Sequence, residues 1–249
     1  MNSTGKRRYL IILCVIFMTC FYTAACTTID RERQAAGVSM NDAAIQEIND
    51  SAAANDVHED TDIVSGYADL NHDGINEKLV VDISKVEESQ EAVLKVLDAE
   101  DNVIWQESAW IPHAGWNSIY LCTVGGKDFL LRYNPYMIQG HGNYTYRLFS
   151  LDGQGTEKLI NEGELDFSIT GITDEFDIEK MVSFYNEING YLDKSILLLS
   201  TEHGELEYGT LDRKITRKEE FSWLYDGTTE YDENDSLEDK LRKYKSNMK

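Results

Sequence analysis

The chain has 249 residues and a formal charge of −22, from 45 Asp and Glu against 23 Lys and Arg. Such an acid excess argues against nucleic acid and anionic lipid head groups as partners, because phosphates are repelled from the surface, and it suits divalent cations and basic proteins. Four cysteines, two of them (Cys14 and Cys20) in an apolar leader, are too few for a disulfide framework, so the fold must stand on its core.

In chain order, Lys6, Arg7 and Arg8 form a basic cluster, and residues 9–25 then carry no charge. That run has the length of a secretory apolar core with its cleavage region and falls short of the roughly 20 residues a spanning helix needs. It ends in Thr23-Ala24-Ala25-Cys26. Small residues just before a cysteine resemble the lipobox of bacterial lipoproteins, with Thr23 where leucine is commoner. The resemblance implies a signal peptide over residues 1–25, acylation of the Cys26 sulfur by a diacylglycerol carrying palmitate-type chains, cleavage in front of it, and a lipid anchor at the extracytoplasmic face of the cell membrane. An uncleaved N-terminal anchor is the alternative, and it also leaves the remainder outside. Losing Lys6, Arg7 and Arg8 with the leader takes the formal charge from −22 to −25. Beyond Cys26 only Cys122 remains, in the apolar run Ile119-Tyr120-Leu121-Cys122, which reads as a buried structural thiol.

Residues 26–62 read as a flexible tether. No aromatic residue occurs between Tyr22 and Tyr67, and Ala, Asp, Asn and Glu dominate. Such a segment buries too little apolar area to offset its ordering entropy. A weak helix around residues 41–50 would put Ile45 and Ile48 on one face. Fully extended, the tether would reach on the order of 100 Å.

From residue 63 to 225 the texture is that of a β-rich domain. Strand-like runs recur at residues 63–68, 78–84, 92–98, 103–108, 118–124, 129–133, 144–151 and 157–160. Turn signals separate most of them: Ala99-Glu100-Asp101-Asn102, Gly125-Gly126 and Asp152-Gly153-Gln154-Gly155. One helix interrupts them near residues 174–192, with Asp174 as cap and Ile178, Met181, Val182, Tyr185, Ile188 and Leu192 along one face. A buried strand at 195–200 follows, with 205–211 as its partner through His203-Gly204. The expected fold class is α+β, mainly β: an antiparallel meander, propeller-like in part, with one helix packed on it. Residues 226–249 read as a charged tail with a short solvated helix capped by Ser236, acids first and bases last as its dipole favours; Glu238–Arg242 and Asp239–Lys243 are i,i+4 pairs.

One loop carries chemistry. Residues 69–77 read Asp69-Leu70-Asn71-His72-Asp73-Gly74-Ile75-Asn76-Glu77. Oxygen side chains stand at loop positions 1, 3, 5 and 9, with glycine at 6 for a sharp turn. Calcium takes six to eight oxygens at about 2.3–2.6 Å, which alternate residues of a tight loop supply. The loop resembles the start of an EF-hand, but Val80 stands where that motif has its bidentate glutamate, and both flanks are strand-like. It is similar, over residues 64–84, to the calcium loop of FG-GAP and VCBS-type repeats. That resemblance implies Ca2+ held by Asp69, Asn71, Asp73, the Ile75 carbonyl and Glu77. Those repeats build β-propellers by recurring, and no second copy occurs here. An asparagine ligand and no position-12 glutamate point to an affinity of ~10⁻⁴–10⁻³ M.

Two aromatic stretches flank glycine and histidine: Trp105, Trp110 and Trp116 around His113, and Tyr133, Tyr136, Tyr144 and Tyr146 around His141. If the two meet, Trp110, His113, Trp116, Tyr136 and His141 would line a ligand-binding cleft; the alternative is core and loop packing. No nucleophile motif, metalloprotease spacing or phosphate loop is present. The expectation is a cell-surface lipoprotein, a non-enzymatic binding or structural module stabilised by one calcium ion, with a cell-wall component, peptide or protein as partner and no nucleic acid. The alternative is a cell-wall or peptide hydrolase using the His113 and His141 loops. The chain is also similar overall to uncharacterised lipoproteins of Gram-positive bacteria, which implies no activity. A two-lobed solute-capture protein would need alternating β and α elements, and these are missing.

Overall fold

The computed structural model describes residues 61–86, 89–109, 115–170 and 176–248. The signal peptide, Cys26 and the tether up to residue 60 lie outside them, as do Asp174, Trp110 and His113.

Four strands, β1 (Thr61–Ala68), β2 (Glu77–Val86), β3 (Ser89–Leu97) and β4 (Val103–Ala109), make an antiparallel meander in the order β1-β2-β3-β4. Their period-2 pattern decides which face is wet. Leu79, Val81, Ala92, Leu94 and Val96 are buried on one face, while Lys95 reaches across the other to pair with Asp82. A second sheet has the order β10-β9-β5-β6-β7-β8. Its strands are β5 (Ser118–Val124), β6 (Lys127–Ile138), β7 (His141–Leu151), β8 (Glu157–Ser168), β9 (Ser195–Ser200) and β10 (Glu207–Tyr208). Ile119, Leu121, Leu130, Phe149, Leu198 and Leu199 of this sheet share one core with the inner face of the first, so the sheets stack as a sandwich. The mainly β, α+β class holds. The one four-stranded meander among the described residues lies face to face on a larger sheet, and not beside a like blade as in a propeller.

The other face of the six-stranded sheet builds a second, aromatic core with helix α1 (Ile178–Leu192) and helix α2 (Leu237–Asn247). In α1 the buried stripe is Met181, Phe184, Ile188 and Leu192, at helical spacing. Its N-cap is Asp177, not Asp174: the Asp177 carboxylate accepts from the backbone N–H of Glu179 and Lys180, the two orphan donors a cap must serve. Helix α2 carries the expected Ser236 cap, completed by Asp239 as a capping box. It is docked where a solvated helix was expected, because Leu241, Tyr244 and Met248 fall on one face and enter the aromatic core.

The region 133–146 differs most from expectation. It is a hairpin of two long strands, β6 and β7, closed by Gln139 (φ 50°) and Gly140 (φ 81°), the double positive φ of a two-residue turn. Pro135 sits two residues beyond the last β5–β6 pair, Ser118–Tyr133, so the proline's missing donor leaves no ladder bond unmade on that side; its carbonyl accepts instead from Trp116 N–H at 3.1 Å. Tyr133, Tyr144 and Tyr146 are buried against Phe167, Phe184 and Phe221 and line no cleft.

Candidate functional site

The 69–77 loop joins β1 to β2 and lies across one end of the sandwich. Three contacts tie it to the opposite sheet. Leu70 is fully buried between the sheets and its carbonyl accepts from Leu151 N–H at 3.0 Å. The His72 ring lies 2.9 Å from the Asp128 carbonyl through Nε2 and stands edge-on to Phe129. The loop belongs in sequence to the four-stranded sheet, yet its anchors are on β6 and β7. His72 (φ 61°) and Gly74 (φ 89°) both take left-handed backbone, which coils the chain tightly enough for alternate side chains to turn inward.

Those side chains bond within the loop. Asp69 accepts from Asp73 and Gly74 N–H, each at 3.0 Å; Asn71 Oδ1 accepts from Asp73 N–H at 2.8 Å; Asp73 Oδ1 accepts from Ile75 N–H at 2.8 Å. The Asn71 amide then donates to Asp73 Oδ2 at 3.0 Å and to Glu77 Oε1 at 2.8 Å. One nitrogen thus lies within hydrogen-bond reach of two carboxylates. Glu77 is only 3% exposed, and its other oxygen takes Leu70 N–H at 2.7 Å. Burial pushes the Glu77 carboxyl above the ordinary range; the Leu70 bond opposes this, and the charges of Asp73 and Asp69 reinforce it. Ile75 is exposed.

The donor set fits calcium in kind: two Asp, one Glu, one Asn and a carbonyl, all oxygen. It also fits in charge, since Asp73 and Glu77 meet on one neutral amide and the Asp69 carboxylate sits on the backbone of the same turn. Among the described residues no three His, Cys, Asp or Glu side chains converge in metal-binding geometry. In this loop the Asn71 amide is what Asp73 and Glu77 share, so a cation would need that amide to turn its oxygen inward.

The second candidate region is only partly assembled. Trp116 is held at Pro135 by its backbone, and a Cβ on Gly115 would stand 2.1 Å from the Pro135 carbonyl, so glycine alone permits this approach of residues 115–116 to β6. Tyr136 and His141 are exposed and project from the same face of the β6–β7 hairpin, at register positions Tyr136–Asn143 and Ile138–His141. The structure therefore brings Trp116 to β6, which carries Tyr136, while His141 opens the neighbouring strand β7. Sequence reasoning missed His72 and Leu70 as the residues that fasten the 69–77 loop to the other sheet. Their only signal was an apolar and an aromatic side chain interleaved with ligand positions.

Cys122 is fully buried, with Sγ 3.6 Å from the Tyr191 carbonyl, and burial pushes its thiol up, as expected of a structural cysteine. No protein-family model matches the chain, and no curated protein or solved structure matches it.

Proposed function

We propose that the protein is a non-enzymatic lipoprotein of the outer face of the cell membrane, whose β-sandwich is braced by one calcium ion in the 69–77 loop and serves as a binding or structural module. The observation that carries the calcium reading is the Asn71 amide shared by Asp73 and the buried Glu77, in a loop that also grips the opposite sheet. The Asp73 and Glu77 carboxylates that share this amide repel each other, with Asp69 adding to the repulsion, and a divalent cation would convert it into attraction. The role is structural because the loop sits at the junction of the sheets: holding it closed holds the sandwich closed. The envelope location rests on the lipobox-like leader, and an extracellular medium supplies calcium at the millimolar level such a site needs.

Calorimetric titration of the mature chain with calcium tests this. We expect one site with Kd of ~10⁻⁴–10⁻³ M and none in Asp73→Ala. Absence of binding at 10 mM calcium (about ten times the weaker limit) removes the metal from the account.

A further inference from the structure

We infer that the outer edge of β8 is a docking site for a basic, extended peptide segment, which would join the six-stranded sheet as a further antiparallel or parallel strand. This gives the binding role proposed above a partner class and rests on that role; the calcium and lipid claims do not enter it.

Three observations converge. First, β8 is an open edge. It has 12 residues and ends its sheet, and among the described residues no backbone group bonds to its outer side. Two other edges are blunted: Leu211 N–H and Ser65 Oγ close β1 against the 209–211 segment, and β10 has only two residues. A bulge at Ile160 disturbs the first third of β8, but the register from Asn161 to Ser168 is regular, with no proline and no inward charge. Second, the two faces of that regular stretch differ as a docking strand would need. Leu165 and Phe167 are buried on the helix side, while Glu162, Glu164 and Asp166 form an exposed row on the other. Third, the last two acids of the row are uncompensated. Arg147 lies 3.6 Å from Glu162, but among the described residues Glu164 and Asp166 have no ion-pair partner, and both accept from the neutral Asn143 amide, at 2.8 and 2.5 Å.

The charge row selects the occupant. A second copy of this chain, at −22, is repelled. The chain's own residues 27–60 carry eight acids against two bases and are repelled likewise. An incoming strand with Lys or Arg at alternate positions places its cations opposite Glu164 and Asp166 as cross-strand pairs, while its backbone fills the open N–H and C=O groups.

The test uses the mature chain in neutral detergent and a ten-residue amidated peptide alternating lysine with valine. Hydrogen exchange should show new protection at alternate amides of 161–167. A Glu164→Gln/Asp166→Asn variant, unchanged in melting because both residues are exposed, should bind about five- to tenfold more weakly. The same peptide N-methylated at alternate residues keeps its charge but cannot pair, and should lose binding. Equal binding of the methylated peptide, protection on β4 or elsewhere in place of β8, or no binding at all overturns the inference. Each of these outcomes leaves the calcium titration unaffected, so the two claims fail separately.

Discussion

Glu77 and Glu219 are the charged side chains buried almost completely among the described residues, at 3% and 4% exposure. Glu219 is held by Tyr133 Oη at 2.6 Å and by Phe221 N–H at 2.6 Å, and Phe221 takes left-handed backbone (φ 50°) beside it. Burial raises both carboxyls above the ordinary range. A raised folded-state pKa means that the native protein holds its proton more tightly than the unfolded chain. Stability therefore grows as pH falls through the folded values toward the unfolded value of about 4.5. Hydrogen bonds act in the opposite direction on Asp98, Asp152, Asp226 and Asp235, whose lowered carboxyls cost stability once pH falls below the unfolded aspartate value of about 3.9. Without calcium, the melting temperature should rise from pH 8 to about 5 and fall below about 4. Glu219→Gln should flatten part of the upper limb. A monotonic fall from pH 8 downward would contradict the burial of these two acids.

At the scale of elements, the docked α2 and the β6–β7 hairpin show what could be read beforehand and what could not. Strands such as β3, where Leu94 and Val96 alternate with Lys95, declared themselves by period, and so did the stripe of α1. The hairpin did not. Asn134-Pro135 and Gly140-His141-Gly142 carry turn chemistry, and only the end of β5 pairing two residues earlier makes Pro135 harmless. Tyr133, Tyr144 and Tyr146 gave no sign of which side they would face until register was known. In α2 the three apolar residues Leu241, Tyr244 and Met248 are diluted by charge, so local composition favoured solvent while tertiary packing decided otherwise. The acidic 69–77 loop was legible as a tight turn because its pattern is local; its grip on the far sheet is a long-range fact that no local pattern encodes. Leu241 is fully buried in the aromatic core. Leu241→Ala should therefore cost about 2–5 kcal/mol in denaturant unfolding, whereas a solvated helix would lose under about 0.5 kcal/mol.

Taken whole, the sandwich is fastened along its sides by charge and indole contacts. Arg132 of β6 pairs with Glu107 of β4 and, at 2.8 Å, with Glu157 of β8, while the Trp105 indole donates to Glu157 at 3.2 Å. At one end the fastening is the 69–77 loop, and there the acids outnumber any local base. A protein of this charge placed outside a membrane gains from each cation it immobilises. The anchor is tested separately: Cys26→Ala should abolish labelling by radioactive palmitate and release the chain from the envelope fraction, and labelling equal to wild type would contradict it. The most direct test of the brace is thermal melting of the mature chain in 10 mM calcium against chelator. For Kd of ~10⁻⁴–10⁻³ M the linkage is about 1–3 kcal/mol, or roughly 3–10 °C for a domain of this size. We expect that shift in wild type and its loss in Asp73→Ala. An unchanged wild-type midpoint, or an equal shift in the variant, would contradict the proposal that calcium in this loop holds the two sheets together.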